Sequence, residues 1–152
     1  MGELDKPKGE RALFSDIWCG ILFVFCFGRD TMLSKCIFVG LGGGAGAICR
    51  YLMGMLPILQ RGAFPLATLT INLMGSFLIG LIAQKANGPS GMDPNLVLLL
   101  KVGFCGGFTT FSTFSLESLT LLEEGRWGMF TLYAVLSVVL CIAGAALGKA
   151  VG

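Results

Sequence analysis

Residues 103–117 read GFCGGFTTFSTFSLE. Gly103, Gly106 and Gly107 weaken a helix, and Thr109, Thr110, Ser112, Thr113 and Ser115 compete for its backbone through side-chain hydrogen bonds. The stretch nevertheless sits in an apolar run, about 95–122, that is long enough to cross a bilayer. A helix spanning there is expected to be broken mid-membrane. Irregular backbone survives at that depth only where protein or a water-filled path satisfies its N–H and C=O groups. The stretch therefore bears on fold and on function together.

Three further apolar runs surround it, about 33–55, about 64–84 and about 127–151. Each reaches the ~20 residues a spanning helix needs. The links PILQRGA, KANGPSGMDP and LEEGR are short, which predicts an up-down bundle. Asp93 followed by Pro94 reads as an N-cap and a proline at the first helical position. Composition agrees. The 152 residues are 55% hydrophobic and 13% charged, with a mean hydropathy of +0.82, too apolar for a soluble domain of this size. The fold class is an all-α integral membrane protein with four transmembrane helices per subunit, the third of them broken, lying multi-pass in the lipid bilayer.

The same numbers exclude several functions. A net charge of +2 gives no basis for a nucleic-acid partner. The absence of histidine removes the commonest general base and metal ligand, and no nucleophile–base constellation is present, so the chain is not expected to be an enzyme. Cys19, Cys26, Cys36, Cys49, Cys105 and Cys141 lie in apolar segments without a CxxC pair and read as small buried hydrophobes.

Residues 1–31 differ from the rest. They are polar, then carry a core of about eleven apolar residues, Ile17–Phe27, too short for a clear span. No small-x-small cleavage site follows. MLSKCIFVGLGGGAGA, from Met32, looks like a natural start. Residues 1–31 are expected to be a misassigned start or a dispensable extension, and 32–152 the four-helix membrane domain.

Lys/Arg bias normally orients such a bundle. Here Lys35, Lys85, Lys101 and Lys149 fall on one side, and Arg50, Arg61 and Arg126 on the other. The balance is nearly even. Either the rule fails to specify one orientation, or both orientations are made and pair as an antiparallel dimer.

Polar residues recur at helical spacing. Thr68, Asn72 and Ser76 form one stripe, and Tyr133, Ser137 and Cys141 another. Interhelical hydrogen bonding explains such stripes in many membrane proteins. The amide of Asn72 can also donate to an anion. Phe111 and Phe114 share a face if the helix resumes there, and a Phe ring has a positive edge. Ring edges, an amide and hydroxyls together suit a small, hard anion without trapping it. Carbonyls freed by the break suit a dehydrated cation. Arg50 either snorkels to the interface or lends positive potential to an anion vestibule. Gly40/Gly44, Gly42/Gly46, Gly103/Gly107 and Gly144/Gly148 have the spacing of close helix contacts. Glu117 is expected to end a hydrogen-bond network.

In GGGAGAICRY, TLTINLMGSFLIG, GFCGGFTTFSTFSLE and the Tyr-x-x-x-Ser of YAVLSVVL, in that order, the chain from about 32 to 152 resembles the Fluc (CrcB) family of microbial fluoride channels. The resemblance implies an antiparallel, dual-topology homodimer in the cell membrane that lets cytoplasmic fluoride leave passively. It places Phe111, Phe114 and Asn72 in the fluoride pore, with hydroxyls such as Thr110 and Ser112 replacing lost hydration. It assigns Tyr133 and Ser137 to a polar track, where Cys141 stands in place of a further serine. It also implies a structural sodium ion at the dimer interface, held by the backbone carbonyls of Gly106 and Thr109. The alternative from the residues is a proton-coupled small exporter of dual topology. That reading calls for an intramembrane carboxylate, and Glu117 is the only one near a helix interior.

Overall fold

The computed structural model describes residues 29–60, 62–88 and 91–152. The chain divides into two units, Met1–Cys36 and Ile37–Gly152, and the bundle belongs to the second. The expectation for residues 1–31 falls almost wholly outside the described residues. The first helix is already formed at Arg29, ahead of Met32.

Among the described residues all regular structure is helical, and four helical stretches are long and apolar enough to cross a membrane. Helix α1 is Arg29–Gly54 and α2 is Leu66–Ala86. The third span, Pro94–Glu123, is composite. It begins with α3 (Pro94–Val97), passes through a π-helical segment (Leu98–Phe104) into α4 (Cys105–Phe108), breaks, and resumes as α5 (Phe111–Glu123). Helix α6 is Trp127–Val151.

Local chemistry sets the ends. Asp93 caps α3 as expected, its Oδ1 accepting from the backbone N–H of Asn95 at 2.9 Å and of Leu96 at 3.1 Å. Helix α5 stops at Gly125, whose φ of +71° favours glycine. There Arg126 N–H reaches Leu121 O at 2.8 Å and Gly125 N–H reaches Leu122 O at 3.0 Å, satisfying two terminal carbonyls and turning the chain into α6.

The break is not where the glycines are. Gly103, Gly106 and Gly107 stay helical, and the extended residues are Thr109 (φ −77°, ψ 159°) and Thr110 (φ −149°, ψ 111°). Gly103 and Gly107 serve contact instead. A Cβ on Gly42, Gly46, Gly103 or Gly107 would run into the backbone of Leu99, Phe104, Val39 or Gly43, respectively, so α1 and the first half of the third span touch main chain to main chain. Gly148 does the same against Phe77 of α2, and Gly144 lies against the Leu73 side chain. Gly40 and Gly44 differ from expectation, with no atom of the described residues within 4 Å of an added Cβ.

Helices α2 and α6 pack closely along their length, and with α5 they enclose the fully buried Tyr133 together with Leu69 and Leu121. Leu41, Ile48, Val139 and Ile142 remain exposed on the outside, as lipid-facing positions of a small bundle do. Cys105 is buried as expected, but Cys36 and Cys49 lie on the exposed surface of α1.

Candidate functional site

Breaking a helix orphans backbone groups, and the neighbours of the break show how several of them are met. Thr110 is clamped by one side chain. Its N–H donates to Asn72 Oδ1 at 2.8 Å, and its C=O accepts from Asn72 Nδ2 at 3.1 Å. An amide is suited to this because it carries donor and acceptor side by side. The Thr110 hydroxyl then caps α5, accepting from Thr113 N–H at 3.2 Å, with Thr113 Oγ1 at 2.9 Å and Ser112 Oγ at 3.3 Å. Arg50 reaches across from α1, where its Nε donates to Gly107 O at 3.1 Å. Thr109 Oγ1 donates to Cys105 O at 2.9 Å.

These substitutions leave two carbonyls without their helical donors. In an unbroken helix, Thr110 N–H would bond Gly106 O, and Thr113 N–H would bond Thr109 O. Both donate elsewhere. Among the described residues there is no cluster of three or more His, Cys, Asp or Glu side chains that could hold a metal ion. The freed oxygens of Gly106 and Thr109 are nonetheless hard, neutral donors of the type that suits an alkali cation. The residues therefore fit the sodium ion implied by the resemblance.

Two hollows flank the break. The first, about 420 Å³, is lined by Asn72, Gly75 and Ser76 of α2, by Lys101, Cys105, Gly106, Thr109 and Thr110 of the third span, by Phe111 and Phe114, and by Ser137 and Cys141 of α6. The second, about 480 Å³, is lined by Arg50, Gln60, Thr68, Thr110, Thr113 and Glu117, among others. Along α2 the second hollow meets Thr68 and Ile71, and the first meets Asn72 to Ile79. The hollows are thus stacked along the helix axis, and Thr110 is the one described residue that lines both.

Phe111 and Phe114 stand together at the first hollow, ring centroids 5.5 Å apart and planes tilted by 39°. Phe111 is 79% exposed, whereas Phe114 is half-buried against Tyr133, with centroids at 5.1 Å. Ser137 also lines this hollow, and its buried Oγ has no hydrogen-bond partner among the described residues. Tyr133 and Ser112 line neither hollow. Tyr133 donates to Glu117 Oε2 at 2.7 Å, and Thr68 donates to Glu117 Oε1 at 2.9 Å. Glu117 thus sits in a network, as expected.

The first hollow brings together Asn72, Phe111, Phe114, Thr110 and Ser137, expected in the pore, with Gly106 and Thr109, expected at the sodium ion. Sequence reasoning missed the clamp, because nothing in the α2 pattern says which backbone the amide will face. It also missed Lys101 as a lining residue. A lysine set inside an apolar run was the available signal.

Residues 37–149 match the family described as CrcB-like protein, Camphor Resistance (CrcB). The chain is 43% identical over 120 residues to a protein of Magnetococcus marinus, covering 76% of this chain and 94% of that one. It is 45% identical over 114 residues to one of Ruminiclostridium cellulolyticum (74% and 88%) and 37% identical over 118 residues to one of Azobacteroides pseudotrichonymphae (77% and 94%). Each of the three is named Fluoride-specific ion channel FluC. With the family matched across the whole bundle and such relatives covered nearly end to end, the chain belongs to the CrcB family.

Proposed function

We propose that this protein is a fluoride-selective channel that lets cytoplasmic fluoride leave the cell passively and so limits its toxicity. Neutral HF enters from acidic surroundings, dissociates inside and accumulates as the anion, which needs a pathway out. The observation that carries the reading is the broken third span. It sets a Phe pair, an amide and hydroxyls around a hollow whose lining contains no carboxylate. The names of the relatives support the same ion.

The residues divide the work. Asn72 fixes the break and keeps a second amide hydrogen for the ion. The edges of Phe111 and Phe114, with Thr110 and Ser137, replace water around it. Ser112 and Tyr133 serve from behind the lining, Ser112 beside the Thr110 hydroxyl and Tyr133 by holding Glu117. Arg50 adds positive potential to the second hollow. Selectivity over chloride follows from a narrow path lined with hard donors. Gly106 and Thr109 would hold sodium through their backbone oxygens, and the bound ion would supply a fixed positive field. The functional unit is an antiparallel homodimer in the cell membrane, a reading supported by the near-even Lys/Arg distribution.

Fluoride efflux from proteoliposomes tests the reading, with a chloride control, a valinomycin shunt and no imposed proton gradient. Rapid fluoride loss with little chloride loss is expected. Loss only after a proton gradient is imposed would indicate the exporter instead.

A further inference from the structure

Counting about 1.5 Å per residue from Pro94, Lys101 stands about 10 Å inside the third span. It is the middle residue of the π-helical segment Leu98–Phe104, and such segments are rare and concentrate at functional sites. It lines the first hollow beside Asn72, Gly106 and Phe111. No carboxylate shares that lining, so Lys101 is the sole formal charge among the residues around it. The second hollow is built differently. There Arg50 is accompanied by Glu117, and the Arg50 guanidinium is already tied to Gly107 O.

An ionisable side chain inside a span is costly on a lipid-facing surface and is retained where it faces water or a pathway. Phe111, Phe114 and Cys105 need no cation for packing. A lone ammonium in an apolar-walled hollow raises the local concentration of anions, because field lines are focused where the walls are of low dielectric. We propose that Lys101 is the anion-collecting residue of the first hollow. It acts through its field on the arriving ion, while the uncharged groups deeper in do the selecting. The proposal rests on the fluoride-channel reading. In the antiparallel pair, one copy of Lys101 serves each membrane face, so its influence is equal for influx and efflux.

The test compares wild-type protein with Lys101→Arg, Lys101→Met and Lys101→Glu in liposomes at sub-saturating fluoride. Each is assayed in about 10 mM and in about 1 M impermeant salt, where the screening lengths are about 30 Å and 3 Å. At low salt Lys101→Arg keeps the wild-type flux, Lys101→Met loses about threefold and Lys101→Glu about tenfold or more, the latter at the lower end of the usual range of steering effects. At high salt the four converge. Wild-type protein supplies a measurement of its own, since its flux at fixed fluoride falls several-fold from low to high salt. A Lys101→Met variant equal to wild type at low salt overturns the proposal. So does a loss unchanged by salt, which would mark a lipid anchor or a packing role, and so does a salt-independent wild-type flux. A wild-type protein that passes no fluoride overturns the channel reading itself, and this inference with it.

Discussion

Asn72 holds the broken span by both ends of its amide. Asn72→Ala leaves the Thr110 N–H unpaired, at a cost of about 1–3 kcal/mol for a buried group, and removes a donor from the Thr110 C=O. Lowered thermal stability in detergent and lost fluoride efflux are expected together. Asn72→Asp keeps the acceptor but turns an anionic oxygen toward Thr110 O and toward the ion, so flux should fail there too. Normal melting and normal flux in either variant would remove Asn72 from both roles. The phenylalanines separate ion contact from packing. Phe111→Ile alters a ring that is mostly exposed, whereas Phe114→Ile also strips a neighbour from Tyr133. The double variant is expected to block fluoride with the fold kept, at a stability cost that comes mainly from Phe114. Efflux and gel filtration of the two single variants check this. Residue spacing made these positions legible in the sequence, since a polar stripe on α2 and a pair of rings three apart need no tertiary information. The partners were not legible, because they depend on the register between α2 and the third span.

At the scale of the element, helix capping and helix contact explain the third span in different places. Thr110→Ala removes the cap of α5 and is expected to cost about 1 kcal/mol, whereas Thr110→Ser keeps the oxygen and most of the stability. Thermal unfolding of the two variants is the check. Glycine substitutions divide by contact. Gly46→Ala or Gly107→Ala forces α1 and the third span apart, so poor assembly is expected on gel filtration. Gly44→Ala meets nothing among the described residues, and a loss of stability there would report a contact made beyond them. The sequence announced that the third helix was interrupted and offered both the glycines and the hydroxyl residues after them as the cause. Glycine spacing signals either a weak helix or a close approach, and the choice depends on what lies opposite. Here Val39, Gly42 and Gly43 of α1 lie opposite Gly103 and Gly107, while the threonines that can cap a new helix mark the break itself.

At the scale of the molecule, the described residues of the second unit share a small core, formed where α2, α5 and α6 meet around Tyr133. Four spans and their order were readable from hydropathy alone, since each run exceeds the bilayer requirement and the links are short. Dual topology is a property of the assembly, to be read from labelling. A single cysteine in the α5–α6 link, in a background cleared of other thiols, is expected to react from both sides of the membrane. Reaction from one side only would sink the antiparallel pair.

Thr110 alone is shared by the two stacked hollows, and this has an electrical consequence. Where water fills both hollows, most of the transmembrane voltage, worth about 2.3 kcal/mol per elementary charge per 100 mV, falls across the septum between them. On the proposed fluoride-channel reading, an ion that crosses from one hollow to the other would do most of its electrical work within the short step past Thr110, beside Asn72 and the two rings. An impermeant blocker stopping in either hollow would sense little of the field, and substitutions at Thr110 would reshape the current–voltage curve more than substitutions at either mouth.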